Sequence, residues 1–371
     1  MLTKAPELRA HTQWASRPAD ERFVNLIEMQ DHFLDLRSRS RSAVLANRRL
    51  EAKPVGRDGL LIEGNHDAVG ITDPTNWAFG QLAALAGAPP SYLRKIPAPL
   101  AADCLNYGLF TRDIEEVGTL VRFNSDGSPG ELAAATGPKY GRIWNVDVVS
   151  ALIKHFGVGD GTDGSAWKVP GEFGKDVPIT KSNTTLYASD RDMFVFLCDE
   201  KNRIEVPNRR NGQPGQLARG FFMWNSEVGK SSFGVGTFLF DFVCMNRIIW
   251  GMDGYEEITI RHTAGAPDRF LEEVAPAVER LRDASTTGIT QAIEQAKEAK
   301  LEDKVDEFLA KRFSRGLVSS MKTVHELEEG RPIETIWDAV TAATAIARDI
   351  PNSDTRVDLE KQAGKLLQIE A

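Results

Sequence analysis

The sequence predicts an α+β protein: a twisted antiparallel sheet with packed helices and a helical C-terminal region. Three observations carry this expectation. Short segments rich in aromatic and β-branched residues, separated by turn signals, run through the middle of the chain. Stretches between Thr75 and Phe156 carry apolar residues at helical spacing, and from Pro267 onward alternating charges surround apolar residues in the same rhythm. The length of 371 residues fits two domains, or one large domain with a helical appendage. Hydrophobic residues at 42% and charged residues at 26% match ordinary globular usage and argue against a mainly disordered or membrane-embedded chain.

The first distinct stretch is 36–57, where Arg37, Arg39, Arg41, Arg48, Arg49, Lys53 and Arg57 meet a single acid, Glu51. On a chain of net charge −8 this marks residues 1–58 as an N-terminal basic arm or helical segment. Trp77, Phe79, Leu82 and Leu85 predict a short helix within 75–87, stopped by Pro89 and Pro90, and a second follows at 98–107. Segments 119–123 and 131–136 flank a turn-rich loop and predict a hairpin. Val148, Val149, Leu152 and Phe156 predict a helix over 145–156 capped by Asn145. The Gly- and Asp-rich 157–174 reads as a loop. Segments 185–188 and 193–198 bracket a tight turn at 189–192, and 221–225, 233–242 and 258–262 supply further strands. Residues 238–250 have a helical alternative, because Phe238, Phe242, Met245 and Ile249 share one helical face. A change of composition at 264–267 divides a core domain, 59–266, from a helical region, 267–371, with helices at 335–348 and 356–367.

Cys104, Cys198 and Cys244 are odd in number and widely spaced, so they are expected as reduced core thiols of a cytoplasmic protein. Residues 1–20 carry Lys4, Glu7, Arg9 and Arg17 without an apolar stretch, and no run of about 20 apolar residues occurs, so neither a secretory signal nor a membrane is expected. The glycine pattern at 159–164 follows a helical segment instead of a strand, which favours turn chemistry over dinucleotide binding. Gly229, Lys230 and Ser231 resemble the end of a phosphate loop, but the first glycine position falls on Trp224, which disfavours ATP hydrolysis. Asn65, His66 and Asp67 form the most suggestive histidine group, yet one His and one Asp make no site. Asp190 and Asp192 terminate a hairpin more naturally than they pair for catalysis. No enzymatic activity, cofactor or metal is therefore expected. Segment 201–219 sets Lys201, Arg203, Arg209, Arg210 and Arg219 against Glu205 alone. Its Gly212, Pro214 and Gly215 give it the character of a basic loop able to follow a phosphate backbone.

The residues also support a resemblance. Phe79-Gly-Gln-Leu-Ala83, Gly87-Ala-Pro-Pro90, Tyr92-Leu93 and Leu105-Asn106 look like the opening block of the phage/plasmid-like family, domain of unknown function 932. Lys139-Tyr140 and Asn145-Val-Asp147 resemble its tyrosine-containing strand and following helix. The strongest block runs from Gly220 to Gly229, with Ser226-Glu-Val-Gly229, followed by Val243-Cys-Met-Asn246; Trp337 and Thr344 are similar to its C-terminal helix. Arg247 departs from the glycine that many relatives carry. The resemblance spans roughly 60–367 and implies a protein of phages, plasmids or other mobile elements, related to DNA handling or recombination, in a bacterial host.

These readings lead to a non-enzymatic, oligomeric phage or mobile-element protein that binds single-stranded DNA and assists annealing. The expected nucleic-acid contacts are Arg203, Arg209, Arg210, Arg219, Lys230, Arg48 and Arg49, with Lys139 and Arg142 adding charge and Tyr140 and Trp144 stacking on bases. The alternative is a protein-interaction module that inhibits or titrates a host factor, favoured by the acidic balance and the charged helices after Pro267.

Overall fold

The computed structural model describes residues 18–170, 178–209, 213–241, 246–248, 258–283, 287–350 and 353–369, and in them the chain builds two sheets where the sequence suggested one. Strand β1 (Arg22–Phe23) leads into helix α1 (Leu26–Ser38). Asn25 caps α1 by accepting the Glu28 N–H at 2.8 Å, and Glu28 reaches back to the Val24 N–H at 2.7 Å. Then come β2 (Ser40–Ala46), β3 (Leu50–Val55), β4 (Gly59–Gly64) and β5 (Gly70–Pro74), helices α2 (Asn76–Leu85), α3 (Pro90–Leu93) and α4 (Ala98–Thr111), and the hairpin of β6 (Glu116–Arg122) and β7 (Gly130–Thr136).

These six strands lie in the order β2-β6-β7-β5-β4-β3, antiparallel except where β5 meets β7. Residues 36–57, expected as a basic arm, supply both edge strands of this sheet. One face carries Leu45, Leu50, Ile62, Val117, Val121 and Leu132 and packs on Leu82 of α2 and Leu105 and Leu109 of α4. Each such buried side chain stabilises the fold by roughly 1.5–3 kcal/mol over its exposed state, enough to hold even a Ser- and Arg-rich strand such as β2 in place.

The larger sheet follows helix α5 (Asn145–Phe156). It comprises β8 (Trp167–Lys168), β9 (Leu186–Ala188), β10 (Met193–Asp199), β11 (Ile204–Arg209), β12 (Gln213–Asn225), β13 (Phe233–Asp241), β14 (Asn246–Ile248) and β15 (Ile258–Ile260) around a spine β1-β9-β10-β12-β13-β14. Strict alternation turns Val195, Leu197, Phe221, Met223, Phe233 and Val235 toward α1 and α5, and Phe194, Phe196, Phe222, Trp224 and Phe238 to the opposite face. There Trp224 lies opposite Gly234 and Phe222 opposite Gly236, and a Cβ on either glycine would run into the ring. The glycines let the rings lie flat across the neighbouring strand.

Helix α6 (Ala266–Arg269) passes through a π turn (Phe270–Val274) into α7 (Ala275–Asp283), which packs beneath the same sheet. Helices α8 (Thr287–Glu298), α9 (Val305–Ala310), α10 (Arg315–Glu329), α11 (Ile336–Asp349) and α12 (Ser353–Leu366) gather round Trp337, Val340 and Ala343 and cover Ile204, Val206, Leu217 and Leu239. This is the α+β fold with antiparallel sheets, packed helices and a helical C-terminal region that the sequence predicted. Among the described residues no helix is long and apolar enough to cross a membrane.

Three local expectations are corrected. Asn145 does not cap α5: Trp144 holds the cap position, and Asn145 sits buried inside the first turn. In 238–250, the described residues are strands, so the helical alternative fails there; residues 242–245 and 249–250 lie outside the described residues. Cys198 is buried as expected, but Cys104 is exposed on α4, and Cys244 lies outside the described residues.

Candidate nucleic-acid interface

The two sheets meet at the turn between β12 and β13, residues 226–230, which belongs to the strongest motif block in the sequence. Together the residues of this turn hold the connector 137–144, helix α2 and the start of helix α5. Ser226 O accepts the Tyr140 hydroxyl at 2.7 Å, and the same hydroxyl accepts the Gly229 N–H at 3.1 Å. Val228 O accepts Trp77 Nε1 at 2.9 Å and Gln81 Nε2 at 2.8 Å, both from α2. The Glu227 backbone carbonyl accepts Arg142 Nη1, while its carboxylate accepts the Asn145 N–H at 2.8 Å and lies 3.6 Å from Arg122 Nη2. That carboxylate serves the N-terminus of α5, where free N–H groups and the helix dipole favour an anion. Burial pushes the Glu227 carboxyl up from its ordinary value, and Arg122 opposes the rise. Gly229 adopts φ +81° beside Thr136 and Tyr140, a left-handed turn that suits glycine. The motif therefore builds a joint between sheets, not a phosphate loop.

Beside this joint, the connector 137–144 and the open face of the smaller sheet enclose a cleft of about 360 Å³. It is lined by Ser42, Val44, Gly118, Thr119, Thr136, Gly137, Pro138, Tyr140, Arg142 and Trp144, and among the described residues no carboxylate lines it. The Arg37 guanidinium lies 3.9 Å from the Trp144 ring centroid and that of Arg142 5.6 Å from it. Exposed Lys139 stands on the connector, and exposed Lys230 holds its ammonium 5.0 Å from the Trp77 ring. Burial raises the carboxyl of Asp147, which Arg37 pulls back down. Tyr140 stacks on His262 with ring centroids 4.8 Å apart. His262 Nδ1 donates to Gly141 O over 3.0 Å, and burial pushes its imidazole down to about 4.

Lys139, Tyr140, Arg142 and Trp144 thus come together, with Lys230 at the joint and Arg37, absent from the expected set, added by α1. Trp144 and Tyr140 are already engaged by guanidinium or imidazole planes, so their faces are positioning surfaces for Arg37, Arg142 and His262 more than open platforms. Arg48 and Arg49 stand elsewhere, in a cleft of about 520 Å³ that also holds Glu51, Glu63, His66 and Asp67. His66 is tied into the β4–β5 turn, its Nδ1 accepting the Ala68 N–H at 3.0 Å.

The basic segment 201–219 is a strand hairpin instead of a mobile loop. Arg219 is only 4% exposed and is held by Asp199 at 2.8 Å, so an external phosphate finds no free charge there. Arg203 is half-buried, bonded to Gln216 Oε1 at 2.8 Å and 3.5 Å from Glu200. Arg209 ends β11, and Arg210 lies outside the described residues. The burial of Arg219 has a sequence signal: it shares strand parity with Leu217 and Phe221, which face the core.

No family model, curated protein or solved structure matches the chain. Of the sequence blocks singled out above, Ser226 to Gly229 with Tyr140 and Asn145 form the joint.

Proposed function

We propose that this chain is a non-enzymatic single-strand-DNA-binding protein, of the annealing or recombination kind found on phages and mobile elements, acting as an oligomer. The supporting observation is the cleft at the sheet joint: on a protein of net charge −8 it gathers Arg142 and its neighbours Arg37 and Lys139, with no carboxylate in its described lining. Phosphates meet Lys139 and Arg37, hydroxyls of Ser42 and Thr136 supply neutral hydrogen bonds, and the outer face of the exposed Arg37 guanidinium accepts a stacked base. Lys230 extends the track past the joint.

Fluorescence anisotropy with a labelled oligothymidylate tests this reading. Three phosphate contacts give log affinity a slope of about −2 against log salt. Lys139→Glu and Arg37→Glu, both at exposed positions, weaken binding while leaving the fold intact. No binding at low salt refutes the proposal. One observation favours the second reading, a protein-interaction module: Leu100, Tyr107, Phe110 and Ile114 are exposed along and just beyond α4. Capture of a host protein that survives nuclease treatment, without oligonucleotide binding, supports that reading instead.

A further inference from the structure

The two edges of the smaller sheet are finished differently. On β3, the Asn106 amide donates to Ala52 O at 2.9 Å and accepts the Ala52 N–H at 2.7 Å, occupying the place of a neighbouring strand. Pro54 on the same strand has no N–H to offer. Among the described residues the β2 edge carries no such plug. Its odd-numbered positions turn their backbone inward: Asn47 N–H donates to Glu115 O and Arg39 O accepts the Phe123 N–H, each at 2.9 Å, and Ala43 O accepts the Thr119 hydroxyl at 3.1 Å. Ladder alternation then points the backbone groups of Ser40, Ser42, Val44 and Ala46 outward. Arg41 takes the Ser40 carbonyl at 2.9 Å. Among the described residues nothing pairs with the backbone of Ser42 or Val44, and both residues are exposed, Val44 to 52%.

We propose that this edge receives an extended acidic peptide of a partner protein as a seventh strand. The outward groups of Ser42 and Val44 offer two donors and two acceptors at the two-residue spacing of a ladder, which a peptide backbone matches and a sugar-phosphate backbone does not. The chemistry of the occupant follows from the flanks. From 36 to 50 the chain carries Arg37, Arg39, Arg41, Arg48 and Arg49 and no acid. Asp35 pairs with Arg39 at 3.0 Å, whereas Arg41 and Arg48 are held by carbonyls, Ser38 O at 3.1 Å and Arg112 O at 3.2 Å; at the far flank Arg48 and Arg49 share their cleft with Glu51, Glu63 and Asp67, so the Arg37–Arg41 end is the more strongly basic. A second copy of the chain is disfavoured, because antiparallel pairing of β2 with itself brings together Arg41 of each strand and the flanking Arg37, Arg39, Arg48 and Arg49 of both copies. Acidic residues near both ends of an incoming strand meet these flanks, and β-branched residues between them pack beside Val44.

The probe is a fluorescein-labelled eight-residue peptide of alternating glutamate and valine, with alternating lysine and valine as control, added to the full chain. Anisotropy is expected to show binding of the acidic peptide only. Hydrogen exchange is expected to slow at the Ser42 and Val44 amides and to stay unchanged at Ala43 and Leu45, which already face β6. Val44→Pro deletes one outward donor without touching the β6 ladder and weakens binding about tenfold, whereas Val44→Thr keeps it. Arg41→Glu with Arg48→Glu, both exposed, weakens binding at low salt and serves if the proline variant fails to fold. Equal binding of the lysine peptide, unchanged exchange at Ser42 and Val44, or binding insensitive to Val44→Pro overturns the proposal. The peptide readouts are taken without oligonucleotide, so loss of peptide binding with oligonucleotide binding intact sinks this proposal alone, and the reverse result sinks the other alone.

Discussion

Replacing Tyr140 by phenylalanine removes one oxygen that joins two sheets. Its hydroxyl donates to Ser226 O at 2.7 Å and accepts the Gly229 N–H at 3.1 Å, while the ring keeps its place on His262 at 4.8 Å. Each hydrogen bond contributes about 1 kcal/mol net, and a buried carbonyl left without its donor adds a desolvation cost, so Tyr140→Phe costs about 2–3 kcal/mol. Ser226 is fully buried, which places the variant toward the upper end. With a urea slope of about 3 kcal/mol/M, the unfolding midpoint falls by about 0.7–1 M at unchanged slope. The turn does not detach, because Val228 O still holds Trp77 and Gln81. A midpoint moving by less than about 0.2 M, equivalent to roughly 0.5 kcal/mol, refutes the assignment of 226–230 as the joint.

Other consequences are checked as directly. Arg219→Ala leaves Asp199 as a buried, unpaired carboxylate and lowers stability by about 3–5 kcal/mol in urea unfolding, yet the folded variant binds oligonucleotide as the parent does. Gly234→Ala pushes a Cβ into the Trp224 indole and costs about 1–3 kcal/mol, read as a lowered thermal midpoint. NMR titration of His262 is expected to give a pKa of about 4, well below the ordinary imidazole value, because the ring is buried. Because the folded value lies below the unfolded value of about 6.5, His262 adds stability above pH 6.5 that is lost as the pH falls toward 4, and His262→Gln removes this acid-side loss. Glu227 acts with opposite sign: its folded pKa is raised, so its buried charge is relieved as the pH falls.

Local signals made much of the fold legible. The helices at Asn76–Leu85 and Ala98–Thr111 and the β6–β7 and β9–β10 hairpins follow from apolar period and turn residues, which act over a few positions. Strand β2 was illegible because it buries little beyond Leu45; the Arg and Ser residues around it look solvated until β6 pairs with it. Segment 201–219 misled through Pro214 and Gly215, which sit within β12, while the parity of Arg219 with Leu217 carried the better signal. Helix α5 shows the limit of local reading. Its Asn145 N–H finds the Glu227 carboxylate, which lies 82 residues away in sequence, and no spacing rule reaches that far. For the same reason the cleft was only partly legible: Lys139 to Trp144 are contiguous and were identified together, but Arg37 arrives through the packing of α1 on α5.

Hydrogen–deuterium exchange of the full chain, with and without saturating oligothymidylate at low salt, tests the cleft most directly. The account predicts slowed exchange across 136–144 and in 37–46, with 203–209 and 213–219 unchanged. Protection centred on 203–219, or no protection anywhere despite saturation, contradicts it.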